Sequence, residues 1–408
     1  MLSLSAPNTP EPLSQAEPAG RLKETEILEK TLASEKPELV AVIGRRRVGK
    51  TYLVRTFFGS RIDFEMVGLK DGNMEQQLRN FTYSLKEAKG QKGPVEKAPK
   101  DWLAAFHELK EFLESPEKKN KRKVVFIDEL PWAATAKSDF LTGFSYFWNS
   151  YASKSNIIVV ICGSATAWMI KKIINNKGGL HNRVTRRILL QPFTLLETEA
   201  YFQSRDISFD RYQILQLYMT MGGIPHYLDQ VEGGKTAVQN IDEICFHPLG
   251  LLRTEFDNYL EGIPKNEAGN WQSLNQSQSW KSWSGYAYEN ICLQHIEKIK
   301  AALGISGMHT RHCSFLAKAT EEREGVQIDL LIDRMDNAIS ICEIKFYNDV
   351  FSLSKEQADK LRKKRRSFRE ASRSRKQLFL VLITTFGLAP NKHSLGLIDN
   401  VVTMGELF

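Results

Sequence analysis

A glycine-rich segment that ends in lysine and threonine carries residue types suited to binding phosphate groups. It satisfies the pattern G-x-x-x-x-G-K-[ST] and consists of Gly44, Arg45, Arg46, Arg47, Val48, Gly49, Lys50 and Thr51. The glycines allow backbone N–H groups to curl around phosphate oxygens, and the start of a following helix adds positive potential. Lys50 would reach the outer phosphates of a nucleotide, and the Thr51 hydroxyl would bind Mg²⁺. The alternative interpretation is a glycine-rich turn with an incidental lysine.

Two acidic residues, Asp128 and Glu129, directly follow the apolar run 124–127. Such a run predicts a buried strand, and acids at its carboxyl end would lie beside the glycine-rich loop. Asp128 would hold Mg²⁺ through water, and Glu129 would polarise the attacking water. Taken alone, an Asp-Glu pair after a strand is usually the favourably charged start of a helix. The catalytic interpretation therefore depends on the combination with the loop.

A serine and three arginines complete the candidate phosphate site. Ser164 follows the apolar run 156–163 and would place a hydroxyl near the γ-phosphate. Arg183, Arg186 and Arg187 follow, and one of them would sense that phosphate or stabilise its transfer. We take Arg183 as the first candidate among the three. The alternative is that each arginine is a surface residue at the start of a strand.

A second set of polar residues lies near the C-terminus. Asp329, Glu343 and Lys345 form a D-x₁₃-E-x-K pattern, and Glu289 precedes it on a predicted helix. Two carboxylates in apolar strands could hold a divalent ion that activates water against a phosphodiester, with Lys345 stabilising the developing charge. Glu289, Asp329 and Glu343 should then converge on one ion-sized site. The pattern is weak by itself, and the alternative is a carboxylate and a lysine paired at a strand edge.

Apolar runs and helical patterns alternate around the first set of residues. Residues 38–44, 123–130 and 156–165 predict buried strands, and residues 51–58 predict a helix directly after the loop. Strands that alternate with helices predict an α/β fold with a parallel sheet.

The remainder of the chain predicts a helical segment and a second α/β unit. Residues 195–231 have helical patterns that are broken at 222–225. The predicted organisation is a disordered tail at 1–19, an α/β domain at 20–194, a helical subdomain at 195–262, a linker at 263–282 and a second α/β domain at 283–408.

The net charge of +8 is concentrated in one segment. Residues 352–376 contain 11 basic and 3 acidic residues, which accounts for the whole excess of 56 Lys and Arg over 48 Asp and Glu. A basic helix at 353–376 would bind the phosphates of a nucleic acid. The alternative is an ordinary solvated helix face.

Several classes of protein are excluded by composition. The five cysteines are far apart and form no C-x-x-C pair, so neither a disulfide framework nor a zinc site is indicated. The longest apolar runs are too short to cross a membrane, and the first residues do not form a secretory signal. We therefore expect a cytoplasmic protein without membrane contact.

Several segments together resemble the archaeal-type ATPase family, in the signal-transducing (STAND) branch related to AAA+ proteins. The resemblance runs from about Gly20 to Phe256 and rests on ELVAVIGRRRVGKTYLVR, VVFIDELPW, GSATAWM, NKGGLHNRVTRRI, PFTLLETEAYF and LYMTMGGIPHYLD. It implies a P-loop ATPase sheet with a small helical lid, ATP as ligand and Mg²⁺ as cofactor. Gly20-Arg21 with Glu24 resembles an N-terminal motif of that branch. Pro225 resembles the proline that contacts the adenine side of the nucleotide.

Residues 283–408 resemble the C-terminal domain that accompanies these ATPases and is related to the PD-(D/E)xK nuclease superfamily. This implies a restriction-endonuclease-like fold in which Glu289, Asp329, Glu343 and Lys345 match the motif. One departure is that the winged-helix segment usual in the family is missing between the two parts, which removes a recognition helix for duplex DNA.

The resulting prediction is an ATP-binding protein that hydrolyses ATP with Mg²⁺ and couples hydrolysis to the nuclease-like domain, in defence or mobile-element biology. The alternative is a nucleotide-dependent switch or scaffold that retains ATP or ADP and acts through partners. Assembly into a homo-oligomer is left open by the sequence.

Overall fold

The computed structural model describes residues 20–95, 97–118, 121–135, 138–175, 177–256, 278–319 and 325–408. The chain forms two compact units. The first runs to Pro192 and includes Ile224–His226, and the second comprises Phe193–Gly223 and Tyr227–Phe408. The predicted tail 1–19 and most of the predicted linker 263–282 lie outside the described residues. No helix of the described residues is long and apolar enough to span a membrane.

The first unit contains a five-stranded sheet in which every strand pair is parallel. Its strands are Glu38–Ile43 (β1), Phe64–Val67 (β2), Lys123–Asp128 (β3), Ile157–Gly163 (β4) and Arg186–Leu189 (β5). They stand in the order β2-β3-β4-β1-β5. The predicted α/β fold with a parallel sheet is confirmed.

Helices cover both faces of this sheet, which explains why β1 and β4 are buried along their whole length. Leu39, Ala41 and Ile43 of β1 join the core on one face, and Val40 and Val42 join the core on the other. The helices of this unit are Leu22–Ala33 (α1), Lys50–Phe58 (α2), Met74–Ala88 (α3), Trp102–Leu113 (α4), Leu130–Ala133 (α5), Phe140–Ser150 (α6) and Thr166–Met169 (α7).

The carboxyl ends of β1, β3 and β4 meet at one edge of the sheet. Ile43 pairs with Gly163, and Ile127 pairs with Ile161. Because β4 lies between β1 and β3, the residue after β4 lies between the loop after β1 and the acids after β3. This edge collects the first set of candidate residues.

The second unit combines helices with a mixed sheet. Its helices are Leu195–Gln203 (α8), Arg211–Met221 (α9), Ala237–Ile241 (α11), Arg253–Phe256 (α12), Gln278–Gln294 (α13), Ile296–Ala302 (α14) and Lys355–Ser372 (α15), while the short helix Pro225–Leu228 (α10) is divided between the two units. The break that the sequence predicts at 222–225 is present, since α9 ends at Met221 and α10 begins at Pro225.

The strands of the second unit are Thr310–Ala317 (β6), Val326–Arg334 (β7), Ala338–Lys345 (β8), Phe351–Ser352 (β9), Gln377–Thr384 (β10), Leu388–Ala389 (β11) and Asn400–Thr403 (β12). The mixed sheet has the order β12-β10-β8-β7-β6, and a separate two-stranded sheet pairs β11 with β9. Strands β6, β7 and β8 are antiparallel neighbours, whereas β8, β10 and β12 run parallel. A second α/β unit is thus present, and its nuclease-like identity stays a prediction.

One element differs from the predicted organisation. Helix α13 begins at Gln278, within the segment for which the sequence predicts a linker. Trp280 is buried, and its ring lies 5.8 Å from the ring of Phe346. The tryptophan therefore anchors the first turn of α13 in the second unit, in a stretch that has few aliphatic residues.

Candidate functional site

The loop between β1 and α2 has a backbone that requires glycine at two positions. A Cβ atom on Gly44 would lie 2.4 Å from the carbonyl oxygen of Leu190, so a larger residue would push the loop away from the end of β5. Gly49 has φ 88°, in the left-handed region that glycine adopts without strain, and it directly precedes α2. The first N–H groups of α2 have no intrahelical acceptor, which makes this turn suited to an anion.

Lys50 and Thr51 make different contacts at the start of α2. Lys50 is buried, and its Nζ donates to the carbonyl oxygen of Arg45 at 3.1 Å, so the ammonium lies within the curve of the loop. The Thr51 hydroxyl donates to Asp128 Oδ2 at 2.5 Å. The loop residues and the acid that ends β3, which are 77 positions apart in the chain, are thus in direct contact.

Asp128 is buried, and its second oxygen accepts the N–H of Glu129 at 2.9 Å. Burial raises the pKa of the Asp128 carboxyl above its ordinary value, while the hydrogen bonds from Thr51 and from the Glu129 N–H act in the opposite direction. Negative charge at Asp128 is therefore incompletely compensated by the side chains around it.

Glu129 is held by Ser164. Its Oε2 accepts the Ser164 hydroxyl at 2.8 Å and the Ser164 N–H at 3.2 Å. Glu129 also has φ 45°, a left-handed backbone that is uncommon for a residue with a side chain and is concentrated at functional sites. The sequence predicts a Ser164 hydroxyl near the γ-phosphate, whereas in the structure this hydroxyl donates to the carboxylate of Glu129.

Arg21 is a site residue whose contact could not be derived from spacing. Its guanidinium is buried and donates to the carbonyl oxygen of Val48 at 3.1 Å, which ties α1 to the glycine-rich loop. The only signal in the sequence is the resemblance of Gly20-Arg21 and Glu24 to a family motif.

Of the three arginines after β4, Arg186 and Arg187 begin β5, and Arg183 precedes it. In the parallel pair of β1 and β5, Arg186 is opposite Val40, and Leu189 is opposite Ile43. Arg183 lies in the turn before β5, where its backbone N–H donates to the carbonyl oxygen of Leu180 at 3.1 Å. Its contact with a phosphate stays a prediction.

Arg186 has a structural partner in the same region. Its guanidinium forms an ion pair with Glu38 at 3.6 Å, and Glu38 is buried at the start of β1. Arg186 therefore fits the alternative interpretation, an arginine at the start of a strand, better than a role at a phosphate. Arg187 is exposed and pairs with Ala41 through its backbone, and its role stays a prediction.

The second set of predicted residues forms a cluster in the second unit. Glu343 is bound by two lysines, with Oε1 2.8 Å from Lys345 Nζ and Oε2 2.6 Å from Lys364 Nζ. Burial by itself would raise the pKa of Glu343, but the charges of the two lysines hold that pKa below its ordinary value. Burial raises the pKa of Glu289, and the neighbouring charges of Asp329 and Glu343 add to this rise.

These carboxylates do not form the three-ligand site that the sequence predicts. Within the described ranges, no group of three or more His, Cys, Asp or Glu side chains is placed to hold a metal ion. In the structure, the two oxygens of Glu343 are instead paired with Lys345 and Lys364, so the convergence of Glu289, Asp329 and Glu343 on an ion stays a prediction. Lys364 lies on α15, and no sequence pattern connected it with Glu343. The roles of Asp329, Glu343 and Lys345 stay predictions.

Pro225 is the first residue of α10, and with Ile224 and His226 it belongs to the first compact unit. Its predicted position on the adenine side of a nucleotide is not tested by any contact of the described residues.

Comparison with known proteins identifies a family for the first part of the chain. Residues 19–231 match a family described as an ATPase domain predominantly from Archaea. The uncharacterized protein MJECL04 of Methanocaldococcus jannaschii is 24% identical over 212 residues, which cover 52% of this chain and 43% of that protein. The match thus spans less than half of the relative's length.

Solved structures also resemble the chain at low similarity. The Walker-type ATPase PABY2304 of Pyrococcus abyssi has 16% identity and a TM-score of 0.40, with 70% of this chain and 80% of that chain covered. Cdc6p from Pyrobaculum aerophilum has 14% identity and a TM-score of 0.42, with 74% and 90% covered. The match of residues 19–231 extends over more than half of the sequence, and the protein therefore belongs to the ATPase-domain family found predominantly in Archaea.

Proposed function

We propose that this protein binds ATP in the loop of residues 44–51 and hydrolyses it with Mg²⁺. The observation that carries the proposal is the hydrogen bond between the Thr51 hydroxyl and Asp128 Oδ2 at 2.5 Å. It joins the glycine-rich loop after β1 to the acid at the carboxyl end of β3, which is the arrangement that P-loop ATPases use. Membership of an ATPase-domain family supports nucleotide binding as the basic property.

The donor atoms at this point fit Mg²⁺. The ion prefers hard oxygen ligands and is bound in such sites by one or two carboxylates together with substrate phosphates. The Thr51 hydroxyl and the Asp128 carboxylate are ligands of that kind, and Asp128 is buried with a raised pKa, so a cation nearby would stabilise its charged form. When bound, the ion neutralises negative charge on the phosphate oxygens.

The remaining roles belong to side chains of the chain itself. Lys50 would transfer its hydrogen bond from the Arg45 carbonyl to an oxygen of the β- or γ-phosphate. Glu129 would orient the attacking water and accept its proton, with Ser164 fixing the carboxylate. Arg21 would hold the loop through Val48.

The test is phosphate release from ATP with and without Mg²⁺. We expect turnover by the wild type, loss of nucleotide binding in Lys50→Ala, and retained binding with turnover lowered at least about 100-fold in Glu129→Gln. Lys97→Ala, a change at an exposed loop lysine, is the control and should behave as the wild type.

Equal, negligible turnover in wild type and Lys50→Ala would refute hydrolysis. If the purified wild type then also retains ADP and exchanges it slowly, the protein acts as a nucleotide-dependent switch or scaffold.

Nucleic-acid cleavage by the second unit, coupled to ATP hydrolysis, is the finer part of the proposal. It is supported by the electrostatic proximity of Glu289, Asp329 and Glu343, and it is opposed by the lysine pairs on Glu343. We expect Asp329→Ala and Lys345→Ala to abolish metal-dependent cleavage while ATP binding persists. If the wild type cleaves no single- or double-stranded substrate with Mg²⁺ or Mn²⁺, Glu343 and its lysines form a structural cluster. The defence or mobile-element setting stays a prediction.

A further inference from the structure

Four arginines of α15 lie on one face of the helix. Arg362, Arg365, Arg366 and Arg369 follow the spacing i, i+3, i+4, i+7, which brings side chains of an α-helix to the same side. They line a surface cavity of about 530 Å³ together with Glu370, Gln377 and Leu378. We call these four residues the arginine face.

Packing of the other side of α15 holds this face outward. Ala358, Leu361 and Phe368 are buried in the core of the second unit, and the ring of Phe368 lies 4.9 Å from that of Phe315. Ser354 caps the first turn of the helix through the N–H of Gln357. The helix is therefore fixed by its apolar side, and the arginines are presented by a rigid element.

The charge of the arginine face is poorly compensated within the chain. Arg362 pairs with Asp359 at 2.8 Å, and Arg369 donates to backbone carbonyl oxygens. No acidic side chain of the described residues forms an ion pair with Arg365 or Arg366, and Glu370 is the one acid among the lining residues. Like charges on successive turns of a helix destabilise it, so an anionic ligand would relieve a repulsion that the fold retains.

The arginine face is separate from the cluster around Glu343. In the parallel pair of β8 and β10, Gln377 is opposite Ala338, whereas Thr384 is opposite Lys345. Gln377 and Leu378, which line the cavity, lie at the first of these ends. Lys364, which binds Glu343, does not line the cavity. The side chains of the face are therefore different from those of the proposed cleavage site.

The side chains of the face select the chemistry of the ligand. Guanidinium groups bind phosphate in a bidentate manner, and the span from Arg362 to Arg369 is about 10 Å, at 1.5 Å per residue, which leaves room for more than one phosphate. None of the seven lining residues is aromatic, so the cavity offers no platform on which an exposed base could stack. This combination suits a duplex, whose bases are already stacked with each other, better than a single strand or a free nucleotide.

We propose that the arginine face binds the phosphate backbone of double-stranded nucleic acid without preference for sequence. Contacts of this kind position a protein on a duplex and carry no sequence information. The proposal goes beyond ATP hydrolysis, and its test does not depend on nucleotide turnover.

The experiment measures binding of the full chain to two fluorescent 20-base-pair DNA duplexes of unrelated sequence, from 0.05 to 0.4 M salt, by anisotropy. We expect equal affinity for both duplexes and a steep loss of affinity with salt. In Arg365→Gln/Arg366→Gln, two lost phosphate contacts should weaken binding about 60-fold at 0.1 M salt and reduce the slope of log K against log salt by about 1.8.

The matched control is Lys97→Gln/Lys100→Gln, which removes the same charge from an exposed loop of the first unit and should bind as the wild type. If both double variants weaken binding equally, the loss is explained by net charge alone and the proposal is overturned. Tighter binding of the wild type to a dT20 single strand or to anionic lipid vesicles than to the duplex would overturn it as well. Should the arginine variant fail to fold, a wild-type affinity that is independent of salt suffices to reject the proposal.

Discussion

At the scale of single residues, the most informative contact is that between Ser164 and Glu129. The apolar run before Ser164 predicts its place at the end of a strand, but its hydroxyl donates to a carboxylate 35 positions earlier in the chain. A catalytic glutamate needs a fixed orientation, since proton transfer to it depends on geometry before pKa. Ser164 is therefore a positioning residue for Glu129 in the proposed mechanism.

Replacing Ser164 by alanine tests this role. The variant keeps the N–H bond to Glu129 at 3.2 Å but loses the hydroxyl bond at 2.8 Å. We expect the affinity for ATP to stay within about twofold of the wild-type value. Turnover should fall about tenfold or more, as it does when a residue that orients a functional group by a hydrogen bond is removed. Steady-state phosphate release and nucleotide titration separate the two quantities.

The control for this prediction is Ser150→Ala, which removes a hydroxyl that bonds only a carbonyl of its own helix. It should leave both binding and turnover unchanged. Faster turnover in Ser164→Ala would mean that Ser164 restrains Glu129, and unchanged turnover would mean that Glu129 is oriented by its backbone alone.

At the scale of elements, His295 joins two helical segments of the second unit. It lies between α13 and α14, is buried, and its Nε2 accepts the N–H of Leu195, the first residue of α8, at 3.0 Å. Its Nδ1 donates to the carbonyl oxygen of Ile291 at 2.8 Å, which leaves Nε2 as the acceptor. Burial lowers the pKa of His295 below its ordinary value, and the charge of Lys298 lowers it further. The hydrogen bond to Ile291 acts in the opposite direction but does not cancel this effect.

This arrangement predicts acid sensitivity of the second unit. Because the folded pKa lies below the unfolded value, the contribution of neutral His295 to stability is complete above about pH 6.5 and is lost as the pH falls below it. We expect up to about 1.4 kcal/mol less stability at pH 5.5 than at pH 7.5 from this group, since one pKa unit corresponds to that free energy.

Denaturant unfolding at the two pH values measures the effect. His295→Gln does not titrate and should show a smaller difference between the two pH values than the wild type. His107→Gln, at an exposed histidine of the first unit, should retain the wild-type difference. A full difference in His295→Gln would assign the acid sensitivity to other groups.

At the scale of the whole molecule, grouping of the elements into units was the least predictable feature. The α/β alternation of the first part follows from apolar runs of strand length, and three strands of the mixed sheet, β7, β8 and β10, follow from similar runs after residue 325. The helices α8 and α9, for which the sequence predicts a separate subdomain, belong to the same compact unit as the C-terminal sheet. Contacts such as Leu195 with His295 account for this, and they join residues 100 positions apart.

The sequence by itself determined the local features: the glycine-rich loop with Lys50 and Thr51, the buried strand before it, the buried strand that ends in Asp128, and the excess of positive charge on α15. These follow from spacing and composition, because a turn, a buried strand or a charged helix face is encoded by neighbouring residues.

Only the tertiary structure decided which distant side chains meet. The strand order brought Ser164 to Glu129 and placed Arg186 beside Glu38 at the beginning of β1. The packing of α15 brought Lys364 to Glu343 and placed four arginines around a surface cavity. Strand order and helix packing depend on burial summed over the whole chain, so no local pattern specifies them.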